Sequence, residues 1–228
     1  PLSADGTTAG FAAGHSLGEY SALVCAGAMD FEDAVMLVHK RGKYMQEAVP
    51  VGRGAMAAII GAEIGKVREV VGQCQGIVDL ANWNSANQIV ISGEKIAVEE
   101  AVQKITAPKS VMLPVSAPFH SRLMKPAEEK LTVDLANCNF NDLVFPIINN
   151  VDVKTIKKGN DARDGLSRQV SRPVRWHETM MKMLTDLNAD SFVEVGAGKV
   201  LSGLIRKTAK ELQKQVTVLN VQNEEDLE

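Results

Sequence analysis

The sequence predicts an α/β protein: a mostly parallel sheet covered by helices, interrupted by a smaller inserted unit. Three observations carry that prediction. Short apolar runs alternate with amphipathic stretches along most of the chain, the pattern of strands joined by crossover helices. Over 54–116 the rhythm changes to strand-helix-strand-strand-helix-strand, the split βαβ order (βαββαβ) of ferredoxin-like domains. A chain of 228 residues, 45% hydrophobic and 23% charged, has room for one large domain or for one domain carrying a smaller one.

In chain order, TAGFAA reads as a buried strand entering a turn over 14–18, followed by a helix over 19–25. Asp30 starts a long helix to about residue 48, with Asp33 placed to complete a capping box. Within the insert, AMAAII is a strand, 64–73 a helix and 77–82 a strand. The polar turn Asn84-Ser85-Ala86-Asn87 leads into the strand QIVIS, a helix over 95–105 and the strand SVMLPV. Downstream come a helix over 123–135, a strand VFPII, helices over 161–170 and 177–187, a strand FVEV, a helix after Gly198 and a last strand VTVLN. Met180, Leu184 and Leu187 fall at helical spacing and predict a core face rather than a cofactor box. The acidic ending NEEDLE reads as a solvated tail. Residues 1–53 and 117–228 are thus expected to form the large domain and 54–116 the insert.

Charge and composition narrow the function classes. Twenty-five Lys+Arg against 28 Asp+Glu give a net charge of −3. There is no overall basic field for non-specific nucleic-acid binding, although a local basic patch can meet an acidic partner. No run approaches the roughly 18 apolar residues of a membrane span, and PLSADGTTAG has neither a basic nor an apolar leader region. The three cysteines, Cys25, Cys74 and Cys138, are widely spaced. They fit a reducing compartment and argue against a disulfide framework or a zinc site, so a cytoplasmic protein is expected.

Gly14-His15-Ser16-Leu17-Gly18 matches G-x-S-x-G between an expected strand and an expected helix. In that context the motif is a nucleophile elbow, a tight turn presenting Ser16 at the edge of the sheet. A chance match arises roughly 0.07 times in a chain of this composition, which favours the elbow over an ordinary glycine turn. A hydroxyl needs a neighbouring base. His15 adjoins the serine and suits a supporting role, and His39 cannot share the helix face of Arg41. His120 and His177 remain as candidate bases. His120 is the better placed, in the loop Ala117-Pro118-Phe119-His120 after a strand. The first oxyanion donor is expected to be the Leu17 N–H. Arg41 lies 25 positions after the serine, with Met45 one turn on. An arginine there can bind a substrate carboxylate, but on the residues alone a solvated helix charge is the simpler reading.

The blocks GHSLGEYSALVCAGAMDFEDAV, HKRGKYMQEAVP, NWNSANQIVISG, LPVSAPFHSRLMKPA, PIINNVDV and FVEVGAGKVLSGL together resemble the malonyl-CoA:acyl carrier protein transacylases of bacterial type II fatty acid synthesis. The resemblance runs in order through nearly the whole chain. It implies an α/β-hydrolase-like core with a ferredoxin-like insert and a site between them. It further implies that Ser16 carries the malonyl group, that His120 is general base and then acid, and that the main-chain carbonyl of Gln169 orients that histidine in place of an aspartate. Arg41 would pair with the malonyl carboxylate while Met45 and Phe119 line the pocket, the Phe119 ring crowding any α-methyl group. Asn82 and Asn84 match an N-x-N-S motif at the domain interface, which implies Asn84 as a substrate-binding residue, with hairpin-turn residues as the equal alternative. The turn Gly196-Ala197-Gly198-Lys199 lacks the spacing of a phosphate loop. Lys109 matches a position near a carrier-docking surface. The implied partners are malonyl-CoA and an acyl carrier protein bearing phosphopantetheine, with no bound metal or redox cofactor, no nucleic acid and no membrane, and with a monomeric enzyme.

In one respect the sequence departs from that pattern. A Gly-Gln-Gly segment supplying a second oxyanion donor is expected well ahead of the nucleophile, yet only 13 residues precede Gly14. A missing N-terminal part is therefore expected. The competing readings are a serine esterase or thioesterase, which calls for a triad acid and no Arg41, an acyltransferase domain of a polyketide synthase, and a non-catalytic carrier-binding scaffold.

Overall fold

The computed structural model describes residues 9–115 and 117–227, so Thr8, where the first expected strand begins, and Ser116, at the expected insert boundary, lie outside the described residues. The chain is mixed α/β. It opens with a short strand, Ala12–Ala13 (β1), a sharp turn, and the helices Gly18–Cys25 (α1) and Phe31–Glu47 (α2). Gly54–Ile60 (β2), Ile64–Gln73 (α3), Val78–Ser85 (β3), Gln88–Glu94 (β4), Lys95–Lys104 (α4) and Lys109–Met112 (β5) follow. A 3-10 turn, Arg122–Met124, leads into Lys125–Ala136 (α5), Ile147–Ile148 (β6), Thr155–Ile156 (β7) and Gly159–Gln169 (α6). Trp176–Thr185 (α7), Ser191–Val195 (β8), Val200–Glu211 (α8), Thr217–Val221 (β9) and a second 3-10 turn, Glu224–Leu227, complete it.

Among the described residues the strands form three sheets. β1 pairs in parallel with β6, Ala12 opposite Ile147, and β7 adds to β6 antiparallel. β8 and β9 are parallel, in register from Ser191 with Thr217 to Val195 with Val221. The third sheet, β3-β4-β2-β5, is antiparallel throughout. The expected parallel pairing is present, but β7 was not anticipated: two residues inside the polar run VDVKTIKKGN carry too little pattern to mark a strand. Three expected strands are also shorter: the described part of TAGFAA keeps only Ala12–Ala13, SVMLPV ends at Met112, and VFPII is cut back as well. VFPII reduces to its last two residues because Pro146 has no N–H to donate, while its carbonyl accepts from Ala12 N–H.

Side chains of successive strand residues point to opposite faces, and β6 divides the core on that basis. Ile147 packs with Leu23, Leu37, Leu131, Leu135 and Leu166 from α1, α2, α5 and α6. Ile148 packs with Trp176, Met180, Leu184, Leu204 and Ile205 from α7 and α8. Helices on both faces of a central strand leave it buried, and each such side chain contributes about 1.5–3 kcal/mol by leaving water. Met180 and Leu184 are core residues as expected, but Leu187 lies beyond the end of α7 and is 37% exposed.

On α2 the inward stripe is Ala34, Leu37, Arg41 and Met45. Arg41 is 7% exposed, which overturns the solvated reading of that charge. Asp30 has the extended backbone of an N-cap (φ −74, ψ 150) but makes no capping hydrogen bond, so the capping box with Asp33 does not form. Residues 223–226 of the acidic ending are exposed as expected, and they are not featureless: Asp226 accepts the Gln222 and Asn223 N–H groups to close the last turn.

The four-stranded sheet has two working faces. Ala57, Ile59, Ile89 and Ile91 pack on Val67 of α3 and Val98 of α4. The alternate residues Met56, Ala81 and Val90 form a small cluster against Phe119. Trp83 N–H donates to the Val174 carbonyl at 2.9 Å and Val174 N–H to the Ala81 carbonyl at 2.8 Å, joining this sheet to the segment ahead of α7. Among the described residues no helix is long and apolar enough to cross a membrane.

Candidate active site

The site begins with the turn between β1 and α1. A Cβ on Gly14 would lie 1.9 Å from the Gly18 carbonyl oxygen, so only glycine fits there, whereas a Cβ on Gly18 would meet nothing. Ser16 has φ 52, a left-handed conformation costly for a residue with a Cβ. Asn150, two residues past the end of β6, holds it there. Its Oδ1 accepts the Ser16 N–H at 2.8 Å and its Nδ2 donates to the Gly14 carbonyl at 2.7 Å.

Ser16 Oγ lies 2.7 Å from His120 Nε2, and His120 Nδ1 lies 3.0 Å from the Gln169 carbonyl at the end of α6. A carbonyl only accepts, so the imidazole proton sits on Nδ1 and Nε2 is free to accept the serine hydroxyl. Burial, and next the Arg41 charge, push the His120 pKa down to about 3. The imidazole therefore stands as a neutral base across the physiological range. No carboxylate among the described residues bonds to it.

Arg41 reaches the same point from α2. Its Nη2 donates to Ser16 Oγ at 2.8 Å and to Gln169 Oε1 at 3.1 Å. Its Nε is buried without a partner, and among the described residues no carboxylate lies within ion-pair distance of it. The guanidinium sits 5.9 Å from the centre of the Tyr20 ring, whose buried hydroxyl is also unpartnered. Desolvation lowers the Arg41 pKa. A buried cation in this condition favours an anionic ligand.

The remaining sequence candidates fall into two groups. Met45 is buried one turn beyond Arg41, Phe119 packs between the α1–α2 core and the Met56 cluster, and Leu17 stands half exposed as the N-cap of α1. No acceptor among the described residues takes the Leu17 N–H, which is the position an oxyanion donor requires. Asn84, by contrast, is engaged with His15: its Oδ1 lies 2.9 Å from His15 Nε2. It thus braces the elbow from β3 through His15. Asn82 forms a bridge with Val174. His177 packs on the Trp83 ring at 4.9 Å, which removes it as the base. Lys109 is exposed at the start of the edge strand β5. A cavity of about 350 Å3 beside His15 and Asn84, walled by Val195, Val200 and Leu201, adjoins the elbow without being lined by Ser16, His120 or Arg41.

Two residues escaped the sequence reading. Glu19 is fully buried beneath the serine, and its Oε2 accepts from Gln169 Nε2 at 2.7 Å and from the Asn150 N–H at 3.2 Å. Burial raises its pKa to about 7 against the pull of those hydrogen bonds. The available signal was an acid on the inward face of α1 with Tyr20 and Leu23. Asn150 was flagged only by an asparagine pair following an apolar strand.

A serine hydroxyl shared by a neutral histidine and a buried arginine is equipped for nucleophilic acyl transfer to or from an acid-bearing group. Similarity to known proteins runs the same way. A family model described as an acyl transferase domain matches residues 1–226. A malonyl CoA-acyl carrier protein transacylase of Escherichia coli O157:H7 is 52% identical over 201 residues, covering 86% of this chain and 64% of that protein. This chain thus spans 64% of the length of that curated relative. The crystal structure of an acyl carrier protein S-malonyltransferase from Vibrio cholerae superposes with a TM-score of 0.92 at 42% identity, covering 97% of this chain and 72% of that one. A malonyl-transacylase solved in complex with a type II polyketide acyl carrier protein gives a TM-score of 0.91 at 42% identity, covering 98% and 72%.

Proposed function

The chain belongs to the acyl transferase domain family, and on that premise we propose that it transfers a malonyl group from malonyl-CoA to the phosphopantetheine thiol of an acyl carrier protein in fatty acid biosynthesis. The observation that carries this reading is Arg41, a buried guanidinium without a carboxylate partner, donating to the nucleophile's own oxygen. Plain ester hydrolysis has no use for that cation. The malonyl carboxylate does.

In the first half-reaction His120 Nε2 takes the Ser16 proton as Oγ attacks the thioester carbon. The C–S bond breaks, and the imidazolium returns the proton to the departing coenzyme A sulfur. The Leu17 N–H supports the oxyanion, and the Gln169 carbonyl stabilises the imidazolium at Nδ1. In the second, the carrier thiol gives its proton to His120, attacks the malonyl ester, and Ser16 leaves with the proton restored. Two half-reactions at one serine make the kinetics ping-pong. Nucleophile, base and oxyanion donor all come from the chain, so the chemistry calls for no metal or redox group.

The same reading takes residues 54–116 as a ferredoxin-like subdomain, supported by the strand order β3-β4-β2-β5, and the remainder as an α/β-hydrolase-like large domain. It assigns Met45 and Phe119 to the acyl pocket, Lys109 to carrier docking, and a cytoplasmic monomer as the working form. Incubating the full-length protein with malonyl-CoA and then with pantetheinylated carrier tests it. A malonyl adduct on Ser16 that passes to the carrier supports the proposal; hydrolysis without transfer points to an esterase instead.

A further inference from the structure

One buried acid in the site has no part in the chemistry described so far. Gln169 is the hub around it. Its backbone carbonyl accepts from His120 Nδ1, its Oε1 accepts from Arg41 Nη2, and its Nε2 donates to both the Ser16 carbonyl and Glu19 Oε2. Glu19 also accepts the N–H of Asn150, the residue that clamps the elbow at Ser16 and Gly14. Its second oxygen, Oε1, is buried beside Gly165 without a partner.

We infer that Glu19 is a positioning residue for the transfer reaction, acting through Gln169 on His120 and Arg41 and through Asn150 on the nucleophile elbow. The inference rests on the proposed transferase function. An ionised carboxylate only accepts hydrogen bonds, so it fixes the Gln169 amide with Nε2 toward Glu19 and Oε1 toward Arg41. A protonated carboxyl also donates and removes that constraint. The flipped amide would turn its NH2 against the guanidinium. Ionised Glu19 has a second effect. When His120 takes the serine proton, two cations stand close together in a buried site, and Glu19 is the acid wired into the same hydrogen-bond network.

The charged and titratable groups facing Glu19 are Arg41 from α2, which favours its ionised form, and Asp152, which opposes it. Tyr20 lies beside it on α1. With Glu19 raised to about 7, the fraction ionised changes over the working range. His120 is already neutral there, and burial holds His15 and His177 below their ordinary 6.5.

The test is the single-turnover rate of Ser16 malonylation by the full-length protein, followed by intact mass over roughly pH 5.5 to 8.5, with thermal unfolding recorded in parallel. Wild type should show a rate that rises through a midpoint near 7 and then levels. Glu19→Gln should remain folded, lose that midpoint and plateau roughly tenfold lower. Glu19→Asp, which keeps the charge on a shorter arm, should retain a midpoint at a shifted pH. A flat wild-type profile, or a Glu19→Gln profile with the wild-type midpoint, would overturn the inference while leaving the transferase intact. Should Glu19→Gln not fold, an unshifted Glu19→Asp midpoint overturns it equally. Absence of any malonyl adduct on wild type sinks both readings together.

Discussion

Arg41 and Ser16, 25 positions apart on α2 and in the elbow, are joined by a hydrogen bond of 2.8 Å from guanidinium to hydroxyl. On the proposed function, one contact therefore ties acid recognition to the nucleophile. Replacing Arg41 with Ala should lower malonyl transfer on the order of 100-fold, the loss expected for charge-assisted hydrogen bonds to a buried carboxylate. Transfer of acetyl from acetyl-CoA should stay equal or improve. Steady-state kinetics with the two thioesters measures this, and unchanged selectivity would remove the assigned role.

The pair Ser16 and His120 separates by the step each variant blocks. Ser16→Ala should form no malonyl adduct by intact mass. His120→Ala should acylate on the order of a thousandfold more slowly, the scale of a lost general base, with the same adduct at the end point.

Phe119 packs against Met56, Ala81 and Val90. Truncating it to Ser opens room for a branch next to the thioester carbonyl. The kcat/KM ratio for methylmalonyl-CoA over malonyl-CoA should rise about tenfold, the lower range for one methyl group in an apolar pocket. No change would place the ring outside the acyl pocket.

Gly14→Ala tests the elbow itself. The added methyl would overlap the Gly18 carbonyl, and backbone atoms have no rotamer through which to yield. A loss of at least about 3 kcal/mol is expected, measured by urea unfolding. Gly18→Ala, with open space at its Cβ, should leave stability nearly unchanged.

Glu19 and His120 make opposite contributions to stability against pH. Glu19 has a folded pKa raised from 4.5 to about 7, so its stabilisation is complete below 4.5 and lost as pH rises through 7. His120 has a folded pKa lowered from 6.5 to about 3, so its stabilisation is complete above 6.5 and lost as pH falls toward 3. Between 4.5 and 6.5 the two slopes oppose each other. Glu19→Gln should unmask the histidine slope, making stability rise with pH across that window in denaturant titrations. A profile parallel to wild type would show that Glu19 carries no such shift.

Strong local signals were the legible ones. G-x-S-x-G located Ser16 because its geometry is set within five residues, and the β-α-β-β-α-β rhythm emerged because each of its strands is long enough to show a pattern. β7 did not emerge, and VFPII reads longer than the β6 it contains, since two-residue strands are defined by their partners and not by periodicity. Without the family resemblance Arg41 reads as solvated, because a helix with a charge every few residues does not reveal which face turns inward. Burial of that face comes from α5 and α6, more than eighty residues away in sequence. Glu19 was missed for the same reason: its partners Gln169 and Asn150 are distant along the chain.

The four consecutive residues Ile147, Ile148, Asn149 and Asn150 pass from structural support to chemistry without a break. The isoleucines anchor the two helical layers on either side of the sheet, and Asn150, two residues on, pins Ser16. No hinge or long side chain intervenes to absorb a disturbance. Loosening of either layer is therefore expected to reach Ser16 through Asn150. Heat should extinguish malonylation and tertiary structure in one transition, and substitutions deep in either core should read out first as lost turnover.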